Sequence, residues 1–483
     1  MINLDTASVA SLVGLLSEGG LTSQELVAAC LGRIEGFGFP FGAIRMVMAD
    51  AMAQAEVSDE HRRRYGPRGP LEGIPVILKD NIDVAGLPTT AGSLALADSV
   101  PERDAHLVSR LRQGGAVILA KANLSELANF LTEGMPSGYS SVGGQVLNPY
   151  DLALTPSGSS SGSAAAVALG LAPLAVGTET DGSIISPAVH QSLVGVKPTQ
   201  GLVSRRGIFP IAPSQDTAGP MARSVADAAA LLGVLSGFDP TDPATAAADD
   251  LGARLRSFVP DPRVLSQAGL GLVAVGGADG TAPSRPMSEE EAAALEEAGG
   301  RLRDVELPTR SFEDELFVLR YEFAPAVRAY FAGWPPSGGP RSLGDVAAWN
   351  RAHAEDSLKF GQTHVDAAMA IDHAAEQARY LEARQRDRSA AVEALETALS
   401  GLGVLIFRGD EGAGWAARSG WPSVCLPTGY SPRSRRPRGI TLVGRAWTDD
   451  HLLSVAAGIE LACGQRRPPA EINPAVFRAL GKP

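Results

Sequence analysis

The chain has 483 residues, 45% hydrophobic and 20% charged, an ordinary globular composition with ample length for a large core. Lys and Arg total 42 against 54 Asp and Glu, and the net charge of −12 argues against a nucleic-acid or anionic-membrane surface. Three scattered cysteines, Cys30, Cys425 and Cys463, fit neither a disulfide framework nor metal-ligand spacing, so a reducing, cytoplasmic setting is expected.

The N-terminus, MINLDTASVASLVGLLSEGG, lacks the basic start of a signal peptide. No apolar run reaches the roughly 20 residues that span a bilayer, and the most hydrophobic stretch, 164–177, contains Pro173. The basic clusters HRRR (61–64) and SPRSRRPR (431–438) read as solvated loops. In TSQELVAACLGRIEGFG, Thr22 or Ser23 caps a helix, with Glu25 in its first turn and Gly36 as its stop. The run IPVILKD is strand-like in length and β-branched content. A helix over about 104–113 with Asp104 as N-cap follows, then a Gly-Gly turn, a strand over about 116–120 and another helix start.

The alternation continues with a helix in GSAAAVALGLA, a strand in PLAVGTETD and a helix in VADAAALLGVL capped by Ser224. Residues 238–262 are polar and Pro/Asp/Ala-rich, a surface excursion. GLGLVAVGG resumes a strand, SEEEAAALEEAGGRLRDVELP gives a helix and a strand, and 341–400 are mostly helical. Three apolar, strand-length runs, GVLIFR, WPSVCLPTG and GITLVGRAW, belong in the same sheet as the early strands. The expectation is a single large α/β domain with a mixed, mostly parallel twisted sheet covered by helices on both faces.

The stretch TPSGSSSGS (155–163) admits three readings: a flexible linker, the G-x-S-x-G nucleophile elbow of α/β-hydrolases centred on Ser160, or another catalytic loop of small hydroxyl residues. The linker fails on context, because Ser163 leads straight into an apolar helix. An elbow needs an acid and a histidine downstream. His353, His364 and His373 lie in polar helical stretches, His451 opens the last helix, and His190 suits helix packing. Nothing in the sequence gives any of them a partner. Taken alone, Lys79 is an ordinary lysine completing a strand and Ser183 an ordinary helix cap.

Together, GIPVILKDNID, TTAGSLAL, GAVILAKANLSELANF, GSSSGSAAAVA, GTETDGSI, VGVKPTQGLVSRRGI and SQDTAGPMARSVADAA, with PSVCLPTGY and RGITLVGRAW much later, resemble the amidase signature family. The likeness is strongest over 66–235, the signature core. Residues 238–400 then form a helical, variable region, and 401–470 hold strands rejoining the sheet. PSGSSSGS and GTETDGSI are similar to the branch that contains bacterial peptide amidases. They differ from the GGSSGGS and DTGGSIR forms of the branch that contains glutamyl-tRNA amidotransferase subunits.

The resemblance implies a Ser-cisSer-Lys triad on Ser183, Ser159 and Lys79. Ser183 is then the nucleophile, Ser159, at the end of a cis peptide bond, the bridge, and Lys79 the base. Backbone N–H groups of Thr180, Asp181, Gly182 and Ser183 form the implied oxyanion hole. Ser160 is expected to support Lys79 by a hydrogen bond, or else to satisfy loop backbone, with Thr178 and Glu179 as props around the turn. Asp216 reads as a loop-fixing carboxylate, and Arg408, Asp410, Glu411 and Trp415 as residues of the pocket mouth. The chemistry is coherent, since a serine needs a base and lysine serves only when burial has lowered its pKa of about 10.4 by several units.

The implied reaction is cofactor-free and metal-free cleavage of a carboxamide C–N bond through a serine acyl-enzyme. Its partner is a small-molecule or peptide amide, for a monomer or homodimer without nucleic-acid or membrane partners. The glycine-rich AVGGADG (274–280) lacks a phosphate-loop pattern. The alternatives are an amide-forming acyl-transfer enzyme or an amidotransferase subunit. Ile185, where the amidotransferase branch carries arginine, weakens the second.

Overall fold

The computed structural model describes residues 2–274, 284–308, 313–334 and 339–479. Its centre is an eleven-stranded sheet. In chain order the strands are β1 (Ile44–Val47), β2 (Pro75–Lys79), β3 (Val117–Ala122), the small hairpin β4 (Tyr139–Ser140) and β5 (Gly144–Gln145), β6 (Leu174–Glu179), β7 (Val194–Lys197) and β8 (Thr217–Ala222). Then come β9 (Gly269–Val273), β10 (Arg301–Val305), β11 (Val404–Arg408), β12 (Ser423–Tyr430) and β13 (Pro437–Val443). The large sheet runs β1-β3-β2-β6-β8-β7-β12-β13-β11-β9-β10.

Parallel pairs occupy two blocks, β3-β2-β6 and β11-β9-β10. Antiparallel pairs fill the centre between them and join β1 to the edge. The result is the mixed, helix-flanked sheet of one large α/β domain. Every residue of β2, β3, β6 and β8 is buried, because helices cover both faces; such strands read as continuous apolar runs rather than alternating ones. The C-terminal runs do rejoin this sheet, as β11, β12 and β13.

Helix boundaries follow local chemistry where a cap is present. Thr22 Oγ1 accepts from Glu25 N at 3.1 Å and Thr22 N donates to the Glu25 carboxylate at 2.8 Å, a reciprocal capping box. Thr22→Ala is therefore expected to lower stability by about 1 kcal/mol in denaturant unfolding. Ser224 and Ser288 cap their helices in the same way, each accepting from a backbone N–H three residues on.

Several local expectations are corrected. Gly36 does not stop its helix, which passes at Ile34 into a π turn ending at Gly38. The N-cap of helix His106–Gln113 is Ala105; Asp104 instead accepts from Ala85 N and pairs with Arg112. The helix start after β3 is a distorted turn, Glu126–Asn129, with Leu127 and Ala128 in the left-handed region. Residues 238–262 are more than a surface excursion: Asp239, Asp242 and Thr245 are buried, and a helix spans Ala248–Leu255. Beyond Ala274, the stretch AVGGADG lies outside the described residues.

Within the expected helical region 238–400, a 19-residue helix, Glu313–Phe331, runs through Pro325. Its residues Phe323, Val327 and Phe331 pack with Phe130 and Phe209 in a separate apolar cluster. Among the described residues, no helix is long and apolar enough to cross a membrane.

Candidate active site

Lys79 is the last residue of β2 and is fully buried. Its Nζ lies 2.7 Å from Ser159 Oγ, 2.9 Å from Thr178 Oγ1 and 3.2 Å from Thr178 O. Burial brings its pKa down to about 7, against the opposing pull of the Glu179 and Asp216 carboxyls. A neutral amine has two N–H donors and one lone pair. With Thr178 taking the donors, the lone pair is left to face the Ser159 hydroxyl.

The serine-glycine stretch is packed, not loose. The Gly158–Ser159 peptide bond is cis, and Ser159 to Ser161 are fully buried. A Cβ on Gly162 would lie 2.3 Å from Asn123 O and 2.5 Å from Ala43 O, so only glycine lets these backbones meet. Ser160 Oγ donates to Thr178 O at 3.1 Å and accepts from Thr178 N at 3.2 Å. It thus satisfies the backbone of Thr178 on β6, the second of the two expectations, and does not bond Lys79 itself. Asn81, unmarked in the sequence reading, donates to Thr178 Oγ1 at 2.9 Å. Its position two residues beyond Lys79 was the available signal.

Ser183 follows β6 by four residues, in a turn made possible by Gly182 at φ +76°. Its side chain is 8% exposed, and its hydroxyl has no hydrogen-bond partner among the described residues. Three hydrogen bonds pin the turn. Ser160 N donates to Ser183 O at 3.1 Å, and the N–H groups of Ile184 and Ile185 donate to Glu179 Oε2 at 2.6 and 3.0 Å. The N–H groups of Thr180, Gly182 and Ser183 have no acceptor among the described residues. Unengaged N–H groups converging on one turn can hold a developing oxyanion.

Asp216 secures the flank: it accepts from Thr180 Oγ1 at 2.6 Å and from the N–H groups of Ile211 and Ala212 at 2.9 and 3.0 Å. Desolvation holds its carboxyl up at about 6. A cavity of about 390 Å³ opens beside Thr178–Thr180, walled by Phe209, Ile211, Tyr330 and Trp334. The two aromatic residues from the 313–334 segment carry no motif, so the sequence did not mark them.

The other candidates disperse. Asp410 accepts from the Ser186 hydroxyl, one turn beyond Ser183, whereas Arg408 reaches Ser284 and Arg285 and Trp415 packs in the core. Glu411 is exposed, and desolvation raises its carboxyl pKa. His190 bonds Ser186 O and Arg436; His364 stacks on Phe130, and His353 and His373 bond backbone carbonyls. Among the described residues no histidine bonds Ser160.

Comparison with known proteins identifies the family. The amidase family model matches residues 25–407. A probable amidase of Arabidopsis thaliana is 35% identical, covering 97% of this chain and 92% of that protein. A glutamyl-tRNA(Gln) amidotransferase subunit of Symbiobacterium thermophilum is 32% identical over 93% of this chain and 95% of its own. The crystal structure of the peptide amidase from Stenotrophomonas maltophilia superposes with a TM-score of 0.88 at 42% identity, covering 96% of this chain and 98% of that one. By motif, architecture and likeness over nearly its whole length, this chain belongs to the amidase family.

Proposed function

We propose that this amidase hydrolyses a carboxamide through a serine acyl-enzyme, with Ser183 as nucleophile, Ser159 as proton bridge and Lys79 as base. The observation that carries the reading is the buried 2.7 Å contact of Lys79 Nζ with Ser159 Oγ, next to a turn whose serine hydroxyl is unengaged. Neutral Lys79 draws a proton from Ser159 as Ser159 takes one from Ser183, and Ser183 Oγ forms a bond to the carbonyl carbon. The oxyanion rests on the N–H groups of the Thr180–Ser183 turn, where such donors are worth several kcal/mol. As the C–N bond breaks, the proton returns through Ser159 to the departing ammonia or amine. Water, activated by the same base, then cleaves the ester and restores Ser183.

All three residues fall within 66–235, which we take as the catalytic core. The substrate is a peptide or other small amide whose acyl part fills the aromatic-walled cavity. The relatives that are amidotransferase subunits suggest a second reading, a partner-dependent transferase; Ile185 favours the hydrolase, and the intact Lys79, Ser159 and Ser183 argue against a non-catalytic subunit. Ammonia or amine release from a panel of peptide, aryl and aliphatic amides by the purified chain alone tests this choice. Release only in the presence of a second protein would overturn it. Ser160→Ala is expected to lower kcat by about ten- to a hundredfold while leaving activity measurable, because it loosens Thr178 without removing a proton carrier.

A further inference from the structure

One edge of the sheet gathers four charged residues. β2 ends at Lys79, β6 at Glu179 and β7 at Lys197, while β8, antiparallel between β6 and β7, begins at Thr217 directly after Asp216. In spatial order the edge therefore reads Lys79, Glu179, Asp216, Lys197. Lys79, Glu179 and Lys197 are 0%, 1% and 1% exposed.

Lys197 has no part in the proton path described above. Its Nζ donates to Pro198 O at 3.0 Å, and no carboxylate lies within ion-pair distance among the described residues. Glu179 spends Oε2 on Ile184 and Ile185, while its buried Oε1 has no hydrogen-bond partner. A protonated carboxyl would need an acceptor for its proton there. A carboxylate needs only compensating positive charge nearby. If protonated Lys79 supplied that charge, the ion pair would hold the proton that the base must lack.

We infer that Lys197 is the standing counter-ion of Glu179, a positioning residue whose positive charge lets Lys79 be neutral and act as base. The inference rests on the reading of Lys79 as the base. The surrounding charges agree with it. Burial raises Glu179's pKa, and the Lys197 ammonium opposes that rise while Asp181 adds to it. Lys197 itself faces Glu179, Asp449 and Asp181, which hold its proton on, and Arg388, which does not; burial leaves it at about 8. Lys79 faces Glu179 and Asp216 and lies at about 7.

The test is the pH profile of kcat/KM on a simple amide for the wild type, Lys197→Met, Lys197→Arg, Glu179→Gln and the double variant. Removing the cation stabilises protonated Lys79, so Lys197→Met is expected to move the acid limb up by about one pH unit, a tenfold loss below it, with the alkaline plateau largely kept. Glu179→Gln, which retains an acceptor for Ile184 and Ile185, moves the limb down. Lys197→Arg and the double variant return it close to the wild-type position.

A plateau lowered with the limb in place overturns the inference, since lost packing alone acts that way. If Lys197→Met fails to fold, Lys197→Gln carries the same expectation, and an unmoved limb in Glu179→Gln is equally fatal. Full turnover in Lys79→Met would instead bring down the assignment of the base, whatever Lys197 does.

Discussion

Ser183→Ala is expected to abolish amide turnover, lowering kcat by about four orders of magnitude or more, as loss of the attacking atom does in serine hydrolases. The variant should fold as the parent does. The Ser183 hydroxyl makes no hydrogen bond among the described residues, and the turn is held instead by Glu179 and Ser160 through backbone groups. An unchanged melting temperature with lost activity therefore separates chemistry from structure. Treatment with a fluorophosphonate, followed by peptide mapping, should place the adduct on Ser183 in the parent and nowhere in the variant. An adduct on Ser160 would revive the nucleophile elbow.

Lys79→Met is expected to cost about three to four orders of magnitude in kcat/KM, since general-base help and activation of the nucleophile are lost together. Lys79→Arg should be equally inactive, because a guanidinium does not give up its proton in proteins. The parent's pH profile follows from the sign of the shift. The active form of Lys79 is neutral, and burial lowers its pKa to about 7. Rate should then rise tenfold per pH unit on the acid side and level off above about 7. A lysine left at its ordinary value of about 10.4 would keep the rate climbing far into the alkaline range. That outcome, or an active Lys79→Met, sinks the assignment.

The proposed catalytic core was legible because its signals are local. A lysine closing an all-apolar strand, a dense serine-glycine loop before an Ala-rich helix, and a TDGS turn after a second strand each carry their meaning within about ten residues. The structure brings Lys79 and Ser159 into contact across 80 residues of sequence. Ser160 left two partners open for a related reason: whether its hydroxyl meets Lys79 or the Thr178 backbone turns on a few ångströms that no motif encodes. Asp104 resembled an N-cap by sequence alone, yet Arg112 and the Ala85 amide claim its carboxylate.

By itself, then, the sequence determined the family, the alternation of strands and helices, and the three residues nominated for chemistry. Apolar periodicity and turn composition are written along the chain. Only the tertiary structure decided what surrounds those residues. Tyr330 reaches Asp83 from 247 residues away, at the wall of the cavity. Lys197 joins the row of charge only because β8 lies beside β6 and β7 beside β8. Buried charges interact through space in a low-dielectric interior. Their partners are chosen by strand order, which the linear sequence does not display.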